Sequence, residues 1–261
     1  MATTSIVDMF IPLREELGLW QAEGRICTLW WRDDDLVVVS PELHRMRQVS
    51  EKFFVPVLVA VIPSLMDKEL ANATKGMHTF VFCQHGFAHE NHAPVGLPNS
   101  EFPQDWAVEL IEQDLAFGRS MLVEQFGERF FPIFVPPWNA FREDKIDILH
   151  VLGYLGISQY GPRSTGVVSQ FVRVNTHVDI VDWAVAPVFP ESRGGFLVDR
   201  LTDVLRRRRL GIIDTDEPTG ILTHHRAMLD DAWQFIDYLL AETHMFPCVQ
   251  WISPHDVFRL E

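Results

Sequence analysis

The chain alternates between short runs of consecutive apolar residues and longer segments in which apolar residues recur every three or four positions. Short apolar runs separated by amphipathic segments are typical of parallel strands buried by the helices that connect them. The predicted strands are 26–31, 55–62, 79–84, 131–135, 156–160, 178–181, 220–224 and 248–252. The predicted helices are 41–53, 104–126, 143–152, 195–208 and 230–243. This alternation predicts an α/β fold, a distorted (β/α) barrel with seven or eight parallel strands.

The composition fits one large globular core. Of the 261 residues, 47% are hydrophobic, and no internal repeat, low-complexity tract or charged linker divides the sequence. We therefore predict a single domain over residues 1–261. The net charge of −14 gives no basic surface for the phosphates of nucleic acids. The longest apolar stretch is about half as long as a membrane span requires.

The cysteines and the first residues bear on the cellular compartment. Cys27, Cys83 and Cys248 are far apart in the sequence and predict no disulfide framework. The first twenty residues lack the basic and apolar regions of a signal peptide. We therefore expect a soluble cytoplasmic protein. Its expected substrate is a small molecule or a glycan. The oligomeric state is not predicted.

Polar, proline-rich or aromatic residues follow five of the predicted strands. These stretches are RDDD at 32–35, HGFAHENH at 85–92, PPWN at 136–139, DW at 182–183 and HH at 224–225. In parallel barrels the C-terminal ends of the strands form the face on which active sites are assembled. The sequence therefore predicts that these side chains converge on one site.

Two of these stretches contain metal-ligand chemistry. Asp33, Asp34 and Asp35 repel one another unless a metal or a shared proton accompanies them, although a turn or helix cap is an equal alternative for the triple alone. His85 and His89 have a spacing that can turn both imidazoles to one side. One Asp and two His ligands would leave an open position on a divalent metal, most simply zinc, for a water molecule.

Hydrolysis also needs a base and an acid. A second Asp beside the ligand can accept the proton of the water. His224 or His225 can protonate the leaving group, and Asp182 can orient and charge that histidine. His92 is expected at the mouth of the site.

In this order the motifs resemble those of the polysaccharide deacetylases with a NodB-homology domain. The matching pieces are the Asp pair at 33–34 or 34–35, His85 with His89, VPPWN at 135–139, Asp182-Trp183 and Leu222-Thr223-His224. The resemblance spans residues 30–225 and implies a metal-dependent hydrolase that removes an acyl group, usually N-acetyl, from a carbohydrate or a related amide.

The resemblance also implies roles for individual residues. These are Asp33 as base, Asp34, His85 and His89 as metal ligands, and His224 as acid. The register with Asp34 as base and Asp35 as ligand fits the motif equally well. We prefer the first register because the helix that begins at Pro41 then follows at the expected spacing. The expected substrate contacts are Trp138, Asn139, His92 and Asp35.

The chain departs from the family pattern in two ways, at the motif arginine and in the lack of a signal peptide, and these departures leave alternatives open. Val135 replaces the arginine that would steady the base, and Arg32 is a candidate substitute. A non-catalytic carbohydrate-binding relative is one alternative, with tryptophans that could stack on sugar rings (Trp30, Trp31, Trp106, Trp138 and Trp183). A two-histidine, one-carboxylate iron enzyme is another, although the alternation of strands and helices speaks against it. The lack of a signal favours a soluble N-acetylated sugar or small amide over a cell-wall polymer.

Overall fold

The computed structural model describes residues 6–164 and 171–259. These residues contain a parallel sheet of nine strands, in the order β6-β5-β4-β3-β2-β1-β8-β7 with β9 beside the start of β1. The strands are β1 Cys27–Leu36, β2 Val57–Val61, β3 Phe80–His85, β4 Phe130–Val135, β5 Gly156–Ile157, β6 Val172–Arg173, β7 Thr176–Asp179, β8 Thr219–Thr223 and β9 Val249–Trp251. A parallel bridge between Tyr160 and Thr176 connects the segment after β5 to β7. The sheet thus curls into an incomplete barrel, which confirms the predicted fold class.

Helices cover the outside of the sheet. They are α1 Ile6–Met9, α2 Ile11–Ala22, α3 Pro41–Phe53, α4 Leu70–Ala73, α5 Val108–Phe126, α6 Ile146–Val151, α7 Glu191–Arg209, α8 Asp230–His244 and α9 Pro254–Val257. The predicted bounds of α3 match the structure, because the Ser40 hydroxyl accepts a hydrogen bond from the Leu43 N–H and caps the helix. Among the described residues no helix is long and apolar enough to cross a membrane.

The central strands are buried on both faces. Every residue of β2 is buried, and its side chains alternate between two apolar clusters. Leu58 and Ala60 pack with Trp30 and other residues of one cluster. The valines of β2 pack with residues of the surrounding helices. This burial on both faces explains why the strands are continuous apolar runs rather than alternating ones.

The structure corrects the predicted end of the first strand. We predicted that this strand ends before the three aspartates, but β1 continues to Leu36. Successive side chains of a strand point to opposite sides, so Asp33 and Asp34 have different surroundings. The pairing of β1 with β2 is irregular between Asp33 and Leu36, and Asp35 has a φ of 72°. The three carboxylates therefore do not form one cluster.

Candidate metal and catalytic site

The histidine loop begins where β3 ends. His85 is the last residue of β3, and Gly86 has a φ of 55°. A Cβ at Gly86 would lie 1.9 Å from the Glu101 carboxylate, so only glycine fits there. The buried Glu101 carboxylate accepts hydrogen bonds from the N–H groups of residues 87–89, at 2.9 Å from that of His89. Burial raises the pKa of Glu101, and these N–H groups oppose the rise. The loop is thus fixed against a buried carboxylate.

Asp35 and the two histidines converge on one point. Asp35 Oδ1 lies 3.1 Å from His85 Nε2 and 3.4 Å from His89 Nε2. A tetrahedral metal with ligand bonds of about 2.0–2.1 Å separates its donor atoms by about 3.3 Å. Asp35 Oδ1 is buried and accepts no hydrogen bond from the part of the chain that the structure describes. The donor atoms therefore fit a small divalent cation.

The hydrogen bonds and pKa shifts of these three residues bear on metal binding. His85 Nδ1 lies 2.9 Å from the Val135 carbonyl oxygen, which can only accept, so Nδ1 carries the hydrogen and Nε2 is free to bind a metal. Burial would raise the pKa of Asp35, but the histidines outweigh it and lower that pKa. Burial and the charge of His85 lower the pKa of His89. An ionised carboxylate and a neutral imidazole are the forms that bind metals, so the shifts of Asp35 and His89 favour binding. Burial would lower the pKa of His85, but Asp34 and Asp35 outweigh it and raise that pKa, so a metal bound at Nε2 would displace a proton there.

Strained backbone is concentrated around this point. Asp35, His89, Trp138 and Asn139 have φ values of 72°, 56°, 54° and 56°, and all four line one cavity of about 330 Å³. Within residues 6–164 and 171–259, the other non-glycine residue with positive φ is Phe54, at the end of α3. Such conformations persist where the surroundings enforce them and are often found at functional sites.

Asp33 does not face this cavity. Its carboxylate accepts hydrogen bonds from the Thr223 hydroxyl at 2.6 Å and from the His225 N–H at 3.0 Å, and its other oxygen contacts the His225 ring. Asp33 and His225 are fully buried, as expected of a structural pair. The preferred register, with Asp33 as base and Asp34 as ligand, does not fit these contacts. The alternative register does, because Asp35 is the carboxylate beside the histidines.

Asp34 lies in the cavity wall and is held by Arg32. Arg32 Nη2 donates to Asp34 Oδ2 at 3.0 Å and to Asn139 Oδ1 at 2.6 Å, while Nη1 donates to the Ser158 hydroxyl at 2.7 Å. The side chains of Arg32 and Asp34 are 0% and 2% exposed. The second oxygen, Asp34 Oδ1, is buried and has no hydrogen-bond partner among the described residues. Arg32 thus contacts Asp34 directly, as expected of the candidate substitute for the arginine that the VPPWN motif lacks.

His224 enters the cavity from the end of β8. Its Nδ1 lies 3.6 Å from Asp179 Oδ1, at the end of β7. Burial would lower the pKa of His224, but Asp179 and the neighbouring carboxylates raise it to about 9. Asp182, the predicted partner, instead accepts the Ala184 N–H and lies 3.7 Å from Arg193. That prediction is corrected: the contacts of Asp182 are with Ala184 and Arg193 in the segment after β7, and Asp179 is the carboxylate beside the imidazole.

The predicted substrate contacts divide into two groups. Trp138 and Asn139 line the cavity, and the Trp138 ring lies 4.3 Å from the ring of His89. His92 does not line it, because its ring stacks on Trp106 at 4.0 Å and its Nδ1 binds the carbonyl of residue 101. It borders a neighbouring cavity of about 570 Å³. Asp35, expected to contact substrate, lies with the histidines instead.

The fold is that of the family 4 carbohydrate esterases. An acetyl xylan esterase of this family from Clostridium thermocellum, in complex with a cobalt ion, matches with a TM-score of 0.55 and 12% identity over 88% of this chain and 90% of that one. A family 4 carbohydrate esterase from Streptomyces lividans, in complex with acetate, matches with a TM-score of 0.53 and 12% identity over 85% and 90%. A family 4 pseudoenzyme from Bacillus anthracis matches with a TM-score of 0.55 and 14% identity over 89% and 65%. No protein-family model and no curated protein sequence matches the chain.

Two residues that organise the site were not predicted from the sequence. Asp179, which contacts His224, lies in the same VDIVDW stretch as Asp182, but the predicted strand 178–181 placed it inside a strand, whereas β7 ends at Asp179. Glu101, which fixes the histidine loop, lies in a proline- and asparagine-rich segment without periodicity. Its role depends on a contact twelve to fourteen residues away, which no local pattern reveals.

Proposed function

We propose that this protein is a metal-dependent hydrolase that removes an acyl group, N-acetyl in the simplest case, from the amine of a carbohydrate or a related small amide. One observation carries the proposal: a possible metal site, a buried carboxylate and a charged histidine border the same cavity. Because a pseudoenzyme shares the fold, the proposal rests on these side chains rather than on the fold alone.

Asp35, His85 and His89 would hold the metal. Two imidazoles and one carboxylate are a ligand set that zinc accepts, and three protein ligands leave a position open for water or substrate. When bound, the ion would lower the pKa of a water molecule and polarise the substrate carbonyl. The hydrogen bond from His85 to the Val135 carbonyl orients that imidazole toward the ion.

Asp34 is suited to the role of base. Arg32 fixes one of its oxygens, and the buried second oxygen has no protein partner and can accept a proton. The same guanidinium nitrogen donates to Asn139, so the base and a cavity-lining residue are held in one arrangement. Arg32 also supplies the counter-charge for this buried carboxylate.

His224 is suited to the role of acid. Its Nε2 lies 3.9 Å from Asp34 Oδ2, so acid and base border the same small volume. Asp179 supports the imidazolium from the other ring nitrogen, and a pKa of about 9 keeps the ring charged near neutral pH. Cleavage of a C–N bond requires a proton for the departing amine, which this ring can deliver.

The cavity and the cysteines bear on substrate size and location. A volume of about 330 Å³ lies at the lower end of small-molecule sites and suits a single sugar unit. Cys27, Cys83 and Cys248 are buried free thiols, which supports the predicted cytoplasmic location because reducing compartments maintain thiols.

The test is acetate release from N-acetylated sugars by the purified protein. We expect turnover with added zinc, loss of turnover after chelation, and recovery when the metal is restored. His85→Ala should abolish both stoichiometric zinc and turnover, whereas His78→Ala, an exposed histidine just before β3, should change neither. Binding of zinc and sugar without acetate release would refute the hydrolase and indicate a carbohydrate-binding relative. Iron-dependent oxygen consumption would indicate the iron enzyme.

A further inference from the structure

A second cavity adjoins the proposed catalytic cavity. Its volume is about 560 Å³, and it shares four wall residues with the catalytic cavity: Trp138, Asn139, Asp179 and Trp183. Its outer wall is formed by α7, with Arg193, Phe196 and Arg200, and by Tyr160. The two cavities are therefore parts of one groove. A substrate whose acylated amine lies beside His224 would extend its neighbouring unit into this second cavity.

The two arginines of this wall differ in their partners. Arg193 donates to the carbonyl oxygens of residues 179–181, at 2.7 Å, 3.3 Å and 2.9 Å. Its guanidinium therefore stabilises the backbone after β7. Arg200 lies seven residues further along α7 and is half-buried. It has no hydrogen bond or ion pair to any described residue, although acidic residues outnumber basic ones by 36 to 22. A half-buried guanidinium without a carboxylate partner is available to an external anion.

The carboxylates of this cavity already have partners. Asp179 accepts hydrogen bonds from the Trp183 indole at 3.2 Å and from the Val181 N–H at 3.0 Å, besides its contact with His224. Asp182 accepts the Ala184 N–H and lies 3.7 Å from Arg193. Neither side chain therefore needs Arg200 as a counter-charge.

Exposed aromatic rings complete the cavity. Trp183 and Phe196 are each 58% exposed, so both rings are accessible to a ligand in this cavity. Trp183 also contacts the His224 ring at 4.7 Å, so it lies where the two cavities meet. Aromatic faces pack against the apolar faces of sugar rings, and an arginine fork binds carboxylate or phosphate with two parallel hydrogen bonds.

We propose that this second cavity is a subsite for an anionic group, carboxylate or phosphate, carried by the substrate unit next to the acylated amine, with Arg200 as its direct contact. The substrate class would be an acidic glycan fragment or a phosphorylated amino sugar. The proposal rests on the proposed function for the identity of the substrate, but the binding of the anion can be measured separately.

The kinetic test compares three N-acetylglucosamine substrates that differ only in the neighbouring group: a neutral sugar, a uronic acid and a phosphate. We expect a higher kcat/KM for at least one anionic substrate than for the neutral one. Arg200→Gln should lower the kcat/KM of the anionic substrate, relative to that of the neutral one, by about tenfold, the scale of a lost hydrogen bond to a charged group. Arg207→Gln, on the same helix but outside the cavity, should leave this preference for the anionic substrate unchanged. The two anionic substrates distinguish a carboxylate from a phosphate ligand.

A binding measurement separates this proposal from the proposed function. Calorimetry with methyl glucuronide and with glucosamine 6-phosphate should show binding to the wild-type protein and to Arg207→Gln, and weaker binding to Arg200→Gln. If an anion binds through Arg200 but no substrate releases acetate, the subsite stands and the hydrolase is refuted. If neutral substrates are deacetylated without preference for an anion and neither anion binds, the subsite is refuted and the hydrolase stands.

Discussion

Replacing Arg32 with methionine should destabilise the protein and disable the proposed base. The Arg32 side chain is fully buried and donates to Asp34, to Asn139 and to both the hydroxyl and the carbonyl of Ser158. Methionine fills a similar volume but offers none of these donors. The substitution removes the direct ion-pair partner of the buried Asp34 carboxylate and leaves only the His224 ring, 3.9 Å away, as a cationic neighbour.

The size of the effect follows from this burial. Removing one partner of a buried ion pair costs about 3–5 kcal/mol, because the remaining charge is uncompensated. Arg47→Met is the matched control, since it removes an arginine from an exposed i, i+4 pair with Glu51. That pair should contribute less than about 1 kcal/mol. Arg32→Lys should fall between these values, because lysine keeps the charge but not the planar fork.

Urea unfolding followed by circular dichroism measures these differences, and acetate release measures the effect on turnover. A double variant, Arg32→Met with Asp34→Leu, should recover part of the lost free energy of unfolding, because it removes both charges. The interpretation of Arg32 as the positioning residue of the base would be wrong if Arg32→Met were no less stable than Arg47→Met and retained full turnover.

Three further predictions follow from the site. His224→Ala should retain zinc but lose amide hydrolysis by about a hundredfold, with a much smaller loss on an activated ester; equal losses would exclude His224 as the acid. Glu101→Gln should weaken zinc binding by about tenfold or more, because the histidine loop loses its buried anchor; unchanged affinity in a zinc titration would contradict this. In metal-free protein, His224 has its pKa raised from about 6.5 to about 9, so its contribution to stability is complete below about pH 6.5 and is lost as the pH rises through about 9. Unfolding between pH 6 and 9.5 should show this loss, and Asp179→Asn should reduce it; identical pH profiles would contradict the pairing.

The sequence was sufficient for the fold and for the proximity of His85 and His89. Continuous apolar runs predicted the buried strands, and β2 at Val57–Val61 lies within the predicted 55–62. The spacing of His85 and His89 predicted that they lie on one side of a loop, and their Nε2 atoms indeed converge on one carboxylate oxygen. Both features depend on neighbours in the sequence, which is why periodicity and spacing reveal them.

The identity of the converging aspartate depended on tertiary structure. Which aspartate faces the histidines is decided by the irregular pairing of β1 with β2 and by the positive φ of Asp35. Asp33 was removed from the site by Thr223 and His225, which lie 190 and 192 residues away in the sequence. Similarly, Asp179 rather than Asp182 contacts His224 because β7 ends there. A local pattern contains no information on such long-range pairings.

We propose that Asp35, rather than Asp34, completes a metal site with His85 and His89. The most direct test is the zinc content of Asp34→Asn and Asp35→Asn after dialysis, measured by inductively coupled plasma mass spectrometry on folded protein. We predict that Asp34→Asn retains about one zinc per chain and loses turnover, whereas Asp35→Asn loses both. Full zinc in Asp35→Asn together with metal loss in Asp34→Asn would contradict this proposal and support Asp34 as the metal ligand.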